Sequence, residues 1–352
     1  SFDYRDIQGL GGNYFPALMV RTQNGLFSSD TKYADFLADD GIPDVALGRL
    51  PVSSPAELSS VVQQVIDYEA SIDSLSDDVT LLADATLPRG NFGQSSDTVS
   101  EVLPLEWNAS AVYRSELGDL ESTRTLFFDE VRKGPRLVNY LGHAGTTALG
   151  FNETLFSIED LETMTIDGSQ PVFANMTCVS SRFEVPGLIS LGEALLLDDE
   201  AGVAVWGPSG VSINEQATLL ARELVSELST GDDPRIGRLV NRAFGAVANL
   251  EFGREMISIY HLFGDPALRV TKSEDPGGTG GTGGDGGGGG TAGDGGSAGD
   301  GGSSGSGGSG GSPASGGGGG GCSIGWQRPS AQVPLLLLMG MAALVWRRRR
   351  RS

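Results

Sequence analysis

Two side chains that can take part in nucleophilic catalysis each follow an apolar run typical of a buried strand. His143 lies in the glycine-bounded turn 142–145 after the run 136–141, and Cys178 directly follows the run 171–177. A cysteine nucleophile needs an imidazole to move protons and backbone N–H groups to hold a developing oxyanion. The pair therefore permits acyl transfer through a cysteine, although the two positions do not decide it.

Taken singly, each residue also has a structural explanation. A cysteine after an apolar strand is more often a small buried core residue, and a histidine in a glycine turn is as often structural as functional. In a parallel sheet, however, the carboxyl ends of the strands share one edge, where ligands bind. That rule places His143 and Cys178 together.

Alternating strands and helices predict the sheet that carries this site. Such alternation is typical of an α/β fold, a mostly parallel sheet flanked by helices on both faces. The predicted strands are 79–83, 110–114, 136–141, 171–177 and 201–206, and the helices lie near 97–103, 122–133, 158–164, 191–197, 214–228 and 236–249.

The N-terminal region of the chain contributes two short strands and a helix. Strands are expected within 10–20 and 44–52. A helix follows from Ser54 to about Ala70, with an N-cap serine, a proline at N1 and a glutamate at N3. Its apolar face is predicted to comprise Leu58, Val61, Val62, Val65 and Ile66.

Composition excludes some functions. The chain carries 45 acidic and 24 basic residues, a net charge of −21, and such a field repels nucleic-acid phosphates. The two histidines and two cysteines lack metal-ligand spacing, so no metal is expected at the site and no cofactor is required. Cys178 is expected to be a lone thiol in the folded region, because a flexible segment separates it from Cys322.

Other polar residues are weaker candidates for a functional role. Asp84 ends the strand 79–83 on the same edge and could orient His143 or line a pocket, although a solvated carboxylate explains it as well. His261 lies in an apolar stretch and is expected to be a core histidine. Four acids could hold a structural Ca²⁺ but lack EF-hand spacing, so solvated acids are the simpler expectation; they are Asp30, Asp35, Asp39 and Asp40.

The C-terminal segment has the composition of a sorting tail. A glycine-rich stretch, 274–321, predicts a disordered linker. Cys322, an apolar run at 333–346 and the arginines 347–351 follow. The run would span about 21 Å as a helix, less than the roughly 30 Å of a bilayer core. A transient signal read during export therefore fits better than a lasting membrane anchor.

This tail, 322–352, resembles the MYXO-CTERM sorting domain of myxobacterial surface proteins. The resemblance implies that Cys322 is the site of processing by a sorting protease and of lipid attachment. It also implies export to the cell surface at the outer membrane, or release. An ordinary C-terminal membrane anchor is the alternative.

The folded region resembles the gingipain family of cysteine peptidases, a caspase-like clan. The likeness covers nearly all of 10–272 and rests on several ordered motifs: 42–52 (IPDVALGRLPV), 139–145 (NYLGHAG), 173–183 (FANMTCVSSRF), 192–196 (GEALL), 202–209 (GVAVWGPS) and 260–270 (YHLFGDPALRV). It implies a caspase-like α/β fold. Residues 1–75 are expected to belong to an N-terminal region with further sequence upstream, and residues 76–273 to form the catalytic subdomain.

The resemblance also implies roles for the site residues. Cys178 would be the nucleophile that forms an acyl-enzyme thioester, and His143 the general base and acid. The N–H groups of Ala144 and Cys178 would form the oxyanion hole. The family usually has glycine at the positions of Ala144 and Ser181. If position 144 required a positive φ, an alanine there would cost roughly 1–2 kcal/mol.

Three functions remain open on the sequence. The first is an endopeptidase, surface-anchored or secreted, that cleaves proteins or peptides. The second is a catalytically silent, peptidase-like module that binds other proteins, which the departures at Ala144 and Ser181 allow. The third is a processing peptidase that matures other exported proteins.

Overall fold

The computed structural model describes residues 15–86, 90–230 and 233–271 of the 352-residue chain. The predictions for the linker 274–321 and for the tail 322–352, including Cys322, lie outside these residues. Within them, no helix is both long enough and apolar enough to span a membrane.

The described chain begins with a hairpin and then alternates between strands and helices. Two 3₁₀ turns, Ile72–Ser74 and Ile158–Glu162, complete these elements. The elements in chain order are β1 (Met19–Thr22), β2 (Gly25–Ser28), α1 (Thr31–Ala34), α2 (Pro55–Ala70), β3 (Asp78–Ala83), α3 (Phe92–Ser100), β4 (Asn108–Tyr113), α4 (Arg114–Leu117), α5 (Leu120–Arg132), β5 (Leu137–Leu141), β6 (Ala148–Leu149), β7 (Phe156–Ser157), β8 (Val172–Met176), α6 (Leu191–Leu197), β9 (Ala204–Pro208), α7 (Asn214–Thr230), α8 (Ile236–Val247), α9 (Gly253–Ile259) and β10 (Tyr260–Phe263).

A six-stranded sheet forms the centre, in the order β10-β9-β8-β5-β3-β4. Its strands pair in parallel except β10, which is antiparallel to β9. Every residue of β5, β8 and β9 is buried, which is why these strands appear in the sequence as unbroken apolar runs. The predicted mostly parallel sheet is confirmed.

Helices cover both faces of the sheet. On one face α5 and α6 pack in a hydrophobic cluster that includes Phe127, Leu195 and the sheet residues Tyr140 and Phe173. On the other face α3 contacts β3 and β5, α7 contacts β5 and β8, and α8 packs on α7. Both faces are therefore shielded from water, and the strand ends are left as the place for a site.

The start of α2 agrees with its sequence signals, but its buried face does not. The Ser54 hydroxyl accepts a hydrogen bond from the Glu57 N–H at 3.2 Å, as an N-cap does. The Glu57 carboxylate instead accepts from the Ser53 N–H, so the capping box is half formed. Val61 is buried with Gln64 and Tyr68, whereas Leu58, Val62 and Ile66 are exposed. The helix lies in an outer layer against α6, which covers one side of it.

Two regions of the sheet differ from expectation. The predicted strand within 44–52 is reduced to a single bridge between Arg49 and Phe263. The strand β10 was not predicted, because its apolar residues also fit a buried loop. Its antiparallel pairing with β9 joins residues far apart in the chain, such as Tyr260 and Pro208, which no local pattern encodes.

A buried ion pair joins the N-terminal region to the sheet. The Arg49 guanidinium donates to both oxygens of Asp30, at 2.8 and 2.5 Å. His261, buried as predicted, places Nδ1 3.1 Å from the same carboxylate. Burial opposes ionisation of Asp30, but His261 and Arg49 hold the pKa of this carboxyl well below its usual value.

The Arg49 pair is expected to dominate the stability of this region. Arg49→Met should lower the free energy of unfolding by about 3–5 kcal/mol, because the buried Asp30 loses the guanidinium that binds both of its oxygens. The double variant Arg49→Met with Asp30→Leu should recover most of that loss, since neither charge then remains. Urea unfolding followed by circular dichroism measures both values. A double variant no more stable than the single one would contradict the argument.

Candidate active site

The pairing register of β5 and β8 sets the relative positions of His143 and Cys178. Leu141 pairs with Met176, an offset of 35 residues, and the same offset separates the histidine from the cysteine. Past the strand ends, the Thr177 hydroxyl donates to the Gly142 carbonyl at 2.7 Å. The register thus continues one residue beyond the sheet, and both residues follow their strands at its carboxyl edge.

Three contacts fix the backbone of His143. Its N–H donates to Asp84 Oδ2 at 3.3 Å, and its carbonyl accepts from the Tyr140 hydroxyl at 2.5 Å and from the Gly150 N–H at 2.8 Å. Gly142 is required here, because a β-carbon would overlap the Tyr140 hydroxyl and the Asp84 side chain. The histidine therefore occupies a rigid turn.

Two phenylalanines flank the His143 ring. The buried Phe92 meets it edge-on at 5.1 Å between centroids, and the exposed Phe151 lies at 5.2 Å. Burial lowers the pKa of His143, and the negative charge of Asp84 partly opposes that shift. The imidazole is thus neutral at physiological pH, which is the form that a general base requires.

Asp84 is buried beside the histidine, so it is not a solvated strand-end acid. Its carboxylate accepts from the main-chain N–H groups of Ala85, at 2.7 Å, and of His143. Burial raises the pKa of this carboxyl, and the two N–H groups partly offset the increase. Asp84 thus holds the main chain of the histidine.

Asp84→Asn is expected to shift the pH dependence of the site. Removing the negative charge takes away an interaction that raises the pKa of His143, so that pKa should fall further. The acidic limb of kcat/KM should then move to lower pH. Asp129→Asn is the control, because this exposed acid on α5 lies toward the opposite edge of the sheet. An unchanged limb in Asp84→Asn would contradict the prediction.

Cys178 is enclosed at the end of β8. Its side chain is 1% exposed, and its sulfur accepts from the Ser212 N–H at 3.3 Å. The expectation of a lone thiol is wrong, because Cys178 is disulfide-bonded in this structure. A nucleophilic Cys178 is therefore the reduced form of this residue.

The residue after the cysteine has an unusual backbone. Val179 has a φ of 47°, in the left-handed region that β-branched residues avoid. Its N–H donates to the Gly210 carbonyl at 2.9 Å, which ties this turn to the segment after β9. Strain of this kind costs about 1–3 kcal/mol and clusters at functional sites.

The two predicted oxyanion donors lie in different settings. Ala144 does not have a positive φ, so the strain considered for alanine there does not arise. Ala144 forms a bridge with Leu149 in which Gly145 and Gly150 supply the N–H donors. In such a non-hydrogen-bonded pair, the N–H of Ala144 points away from Leu149. The second donor, the N–H of Cys178, lies at the start of the strained turn.

Ser181 faces the protein interior. It is fully buried, and β-carbons built on Gly192 and Gly207 would lie 2.6 and 2.8 Å from its hydroxyl oxygen. These two glycines therefore leave the room that the serine side chain occupies. The departure from glycine at position 181 is accommodated by packing behind the cysteine turn.

The predicted calcium ligands do not converge. Asp30 is engaged by Arg49, whereas Asp35 accepts from the Gly41 N–H and Asp40 from the Ile42 N–H. In the described ranges, no three His, Cys, Asp or Glu side chains come together to hold a metal. Calcium binding by these acids stays a prediction.

Sequence reasoning missed the residues that hold the candidate pair, His143 and Cys178. Ser212 contacts the sulfur, while Tyr140 and Thr177 fasten the two turns. A hydroxyl directly before the cysteine and a tyrosine shortly before the histidine are weak signals. No sequence signal pointed to Ser212, because this residue lies 34 positions after Cys178 and contacts it only in the folded chain.

Comparison with known proteins agrees with this geometry. The family model of peptidase family C25 matches residues 1–271. The chain belongs to peptidase family C25. Gingipain R2 of Porphyromonas gingivalis is 24% identical over 265 residues, covering 69% of this C25 chain and 35% of the relative. Gingipain R1 of the same organism is also 24% identical over 265 residues, covering 26% of its own length. The C25 chain thus spans about a third or less of these relatives.

Solved structures show the same fold. The crystal structure of the Arg-specific cysteine proteinase gingipain R has a TM-score of 0.62 at 21% identity, covering 73% of this chain and 61% of that one. The complex of the Porphyromonas gingivalis RgpB pro- and mature domains has a TM-score of 0.63 at 19% identity. The match covers 74% of this chain and 63% of that one. The predicted gingipain-type fold is confirmed.

Proposed function

We propose that this chain is a cysteine endopeptidase that cleaves proteins or peptides. The observation that supports the proposal is the shared register of β5 and β8, two neighbouring parallel strands that His143 and Cys178 follow at the same offset. Membership of a peptidase family and likeness to gingipains support it. The chemistry needs no metal or cofactor.

The groups at the site suit each step of thioester chemistry. His143 takes the proton of the reduced Cys178 thiol, and the thiolate attacks the scissile carbonyl carbon. The N–H groups of Ala144 and Cys178 donate to the oxyanion. His143 then protonates the leaving amine, and a water deprotonated by His143 hydrolyses the thioester and restores the thiol.

Active-site labelling combined with peptide digestion tests this function. The full chain, kept under a thiol reductant, should react with a peptidyl thiol-directed inhibitor and should hydrolyse a peptide library. Mass spectrometry of the products also gives the residues on either side of each cut. A folded, reduced chain that neither cleaves peptides nor is labelled at Cys178 would overturn the proposal.

A silent binding module is the second candidate, favoured by the enclosure of the Cys178 side chain. An enzyme must expose the sulfur to substrate, whereas a binding module need not. The alkylation rate of Cys178 in the reduced, folded chain separates the two. Alkylation comparable to that of a small-molecule thiol supports the enzyme, and alkylation that occurs only on unfolding supports the module.

We further propose that the protein is exported and held at the cell surface or released. The C-terminal sequence supports this, with Cys322 as the site where a sorting protease acts and the apolar run as a transient membrane contact. Cys322→Ala should prevent processing in the native host. Intact mass and cell fractionation measure the outcome, and processing that is unaffected would overturn this assignment.

A role in maturing exported proteins would appear as strict selectivity in the library digest.

A further inference from the structure

An exposed aromatic residue borders the candidate general acid. Phe151 is 55% exposed, yet its ring contacts the imidazole of His143 at 5.2 Å between centroids. The other flank of the imidazole is closed by the buried Phe92. Phe151 is therefore the apolar surface beside His143 that a substrate can reach.

The loop that carries Phe151 is held in place from both ends. Before it, the Gly150 N–H donates to the His143 carbonyl and to the Tyr140 hydroxyl at 3.1 Å. Gly150 has a φ of +100°, which fixes a sharp bend that other residues resist. After it, Glu153 forms a 2.7 Å ion pair with Arg114. These bonds fix the loop on both sides of Phe151 and so hold its main chain close to His143.

The direction of the reaction assigns this surface to one side of the scissile bond. The histidine of a cysteine peptidase protonates the leaving amine, which belongs to the residue after the cut, P1′. A side chain beside the imidazole consequently lies nearest P1′, rather than the acyl half bound to Cys178. We propose that Phe151 forms the S1′ surface and selects apolar P1′ residues, a proposal that rests on the proposed peptidase function.

Burial of an apolar P1′ side chain against the ring favours its cleavage over a polar one. One well-packed apolar contact discriminates by about tenfold to a hundredfold. Because Phe151 is half exposed, the lower end of that range is expected. Polar or charged P1′ residues gain nothing from the ring.

The test uses peptide pools with one position fixed as Leu, Phe, Ser or Asp and the others randomised. With the reduced full chain, kcat/KM for Leu or Phe at P1′ should exceed that for Ser or Asp by about tenfold. Phe151→Ala should reduce this ratio to near one, and Phe151→Leu should keep most of it. Leu105→Ala is the matched control, an exposed apolar residue before β4 at the opposite edge of the sheet.

The outcomes separate this proposal from the peptidase function. Cleavage with the same P1′ ratio in Phe151→Ala as in wild type would overturn the S1′ assignment and leave the function intact. Absence of cleavage would overturn the function. In that case the binding of the same pools is measured by fluorescence anisotropy, with Cys178→Ala and with the double variant that also carries Phe151→Ala. This comparison tests whether Phe151 contacts the apolar side chain. Weaker binding of the Leu and Phe pools in the double variant supports it, and equal binding overturns it.

Discussion

Replacing Cys178 with alanine is expected to lower kcat/KM for peptide hydrolysis by about 10⁴-fold or more. In the proposed mechanism the sulfur is the atom that forms the thioester, and no other group can take its place in covalent catalysis. The fold should persist, because alanine fills most of the same buried space at the end of β8. Steady-state kinetics on the best-cut library peptide, under reductant, measures the loss.

The tail cysteine provides the matched control for this variant. Cys322→Ala removes the second of the chain's two cysteines and leaves every predicted catalytic group in place. Under reductant it should retain wild-type kcat/KM and labelling by the inhibitor. Equal activity in Cys178→Ala and wild type would show that the cysteine at the strand end is structural.

Replacing His143 with glutamine is expected to lower kcat/KM by about 10²- to 10⁴-fold, the usual contribution of a general base and acid. In the proposed mechanism the imidazole activates the thiol and protonates the leaving amine, and glutamine does neither. The main-chain contacts of His143 with Asp84 and Tyr140 do not involve the ring, so the turn should be retained. Single-turnover kinetics would show whether acylation is the step that is lost.

The lowered pKa of His143 predicts the direction in which activity and stability change with pH. Because burial lowers the pKa of His143, the acidic limb of kcat/KM should lie below pH 6.5, the usual histidine value. The same shift affects stability, since the unfolded chain binds the proton first. Stability should therefore fall as pH drops from 6.5 toward the lowered pKa, and His143→Gln should remove this component. A limb above pH 6.5 would show that burial is not the dominant effect.

Much of the fold could be predicted because the local signals agree with the tertiary structure. Buried parallel strands are continuous apolar runs, and helices such as α6 begin at a capping serine, here Ser190, so both can be located without knowing their neighbours. The predicted helix at 191–197 matches α6 in full. Where packing decided the outcome, prediction failed. The buried face of α2 depends on which helix covers it, and β10 exists only through its pairing with β9.

The candidate pair, His143 and Cys178, was accessible from sequence because each member directly follows a strand. Parallel strands end at one edge, so the chemistry of that edge follows from chain order alone. Asp84 illustrates the limit of such reasoning. Its position at a strand end was evident, but its burial and its bonds to main-chain N–H groups came only from the surrounding contacts.

The sequence by itself determined the α/β class, the strand-end positions of His143 and Cys178, and the composition of the tail. These follow from periodicity and residue type, which are properties of short segments. Only the tertiary structure decided that Ser212 contacts the sulfur, that Val179 has a left-handed backbone and that Phe151 borders the imidazole. Such contacts join residues distant in the chain, and packing of the whole domain selects them.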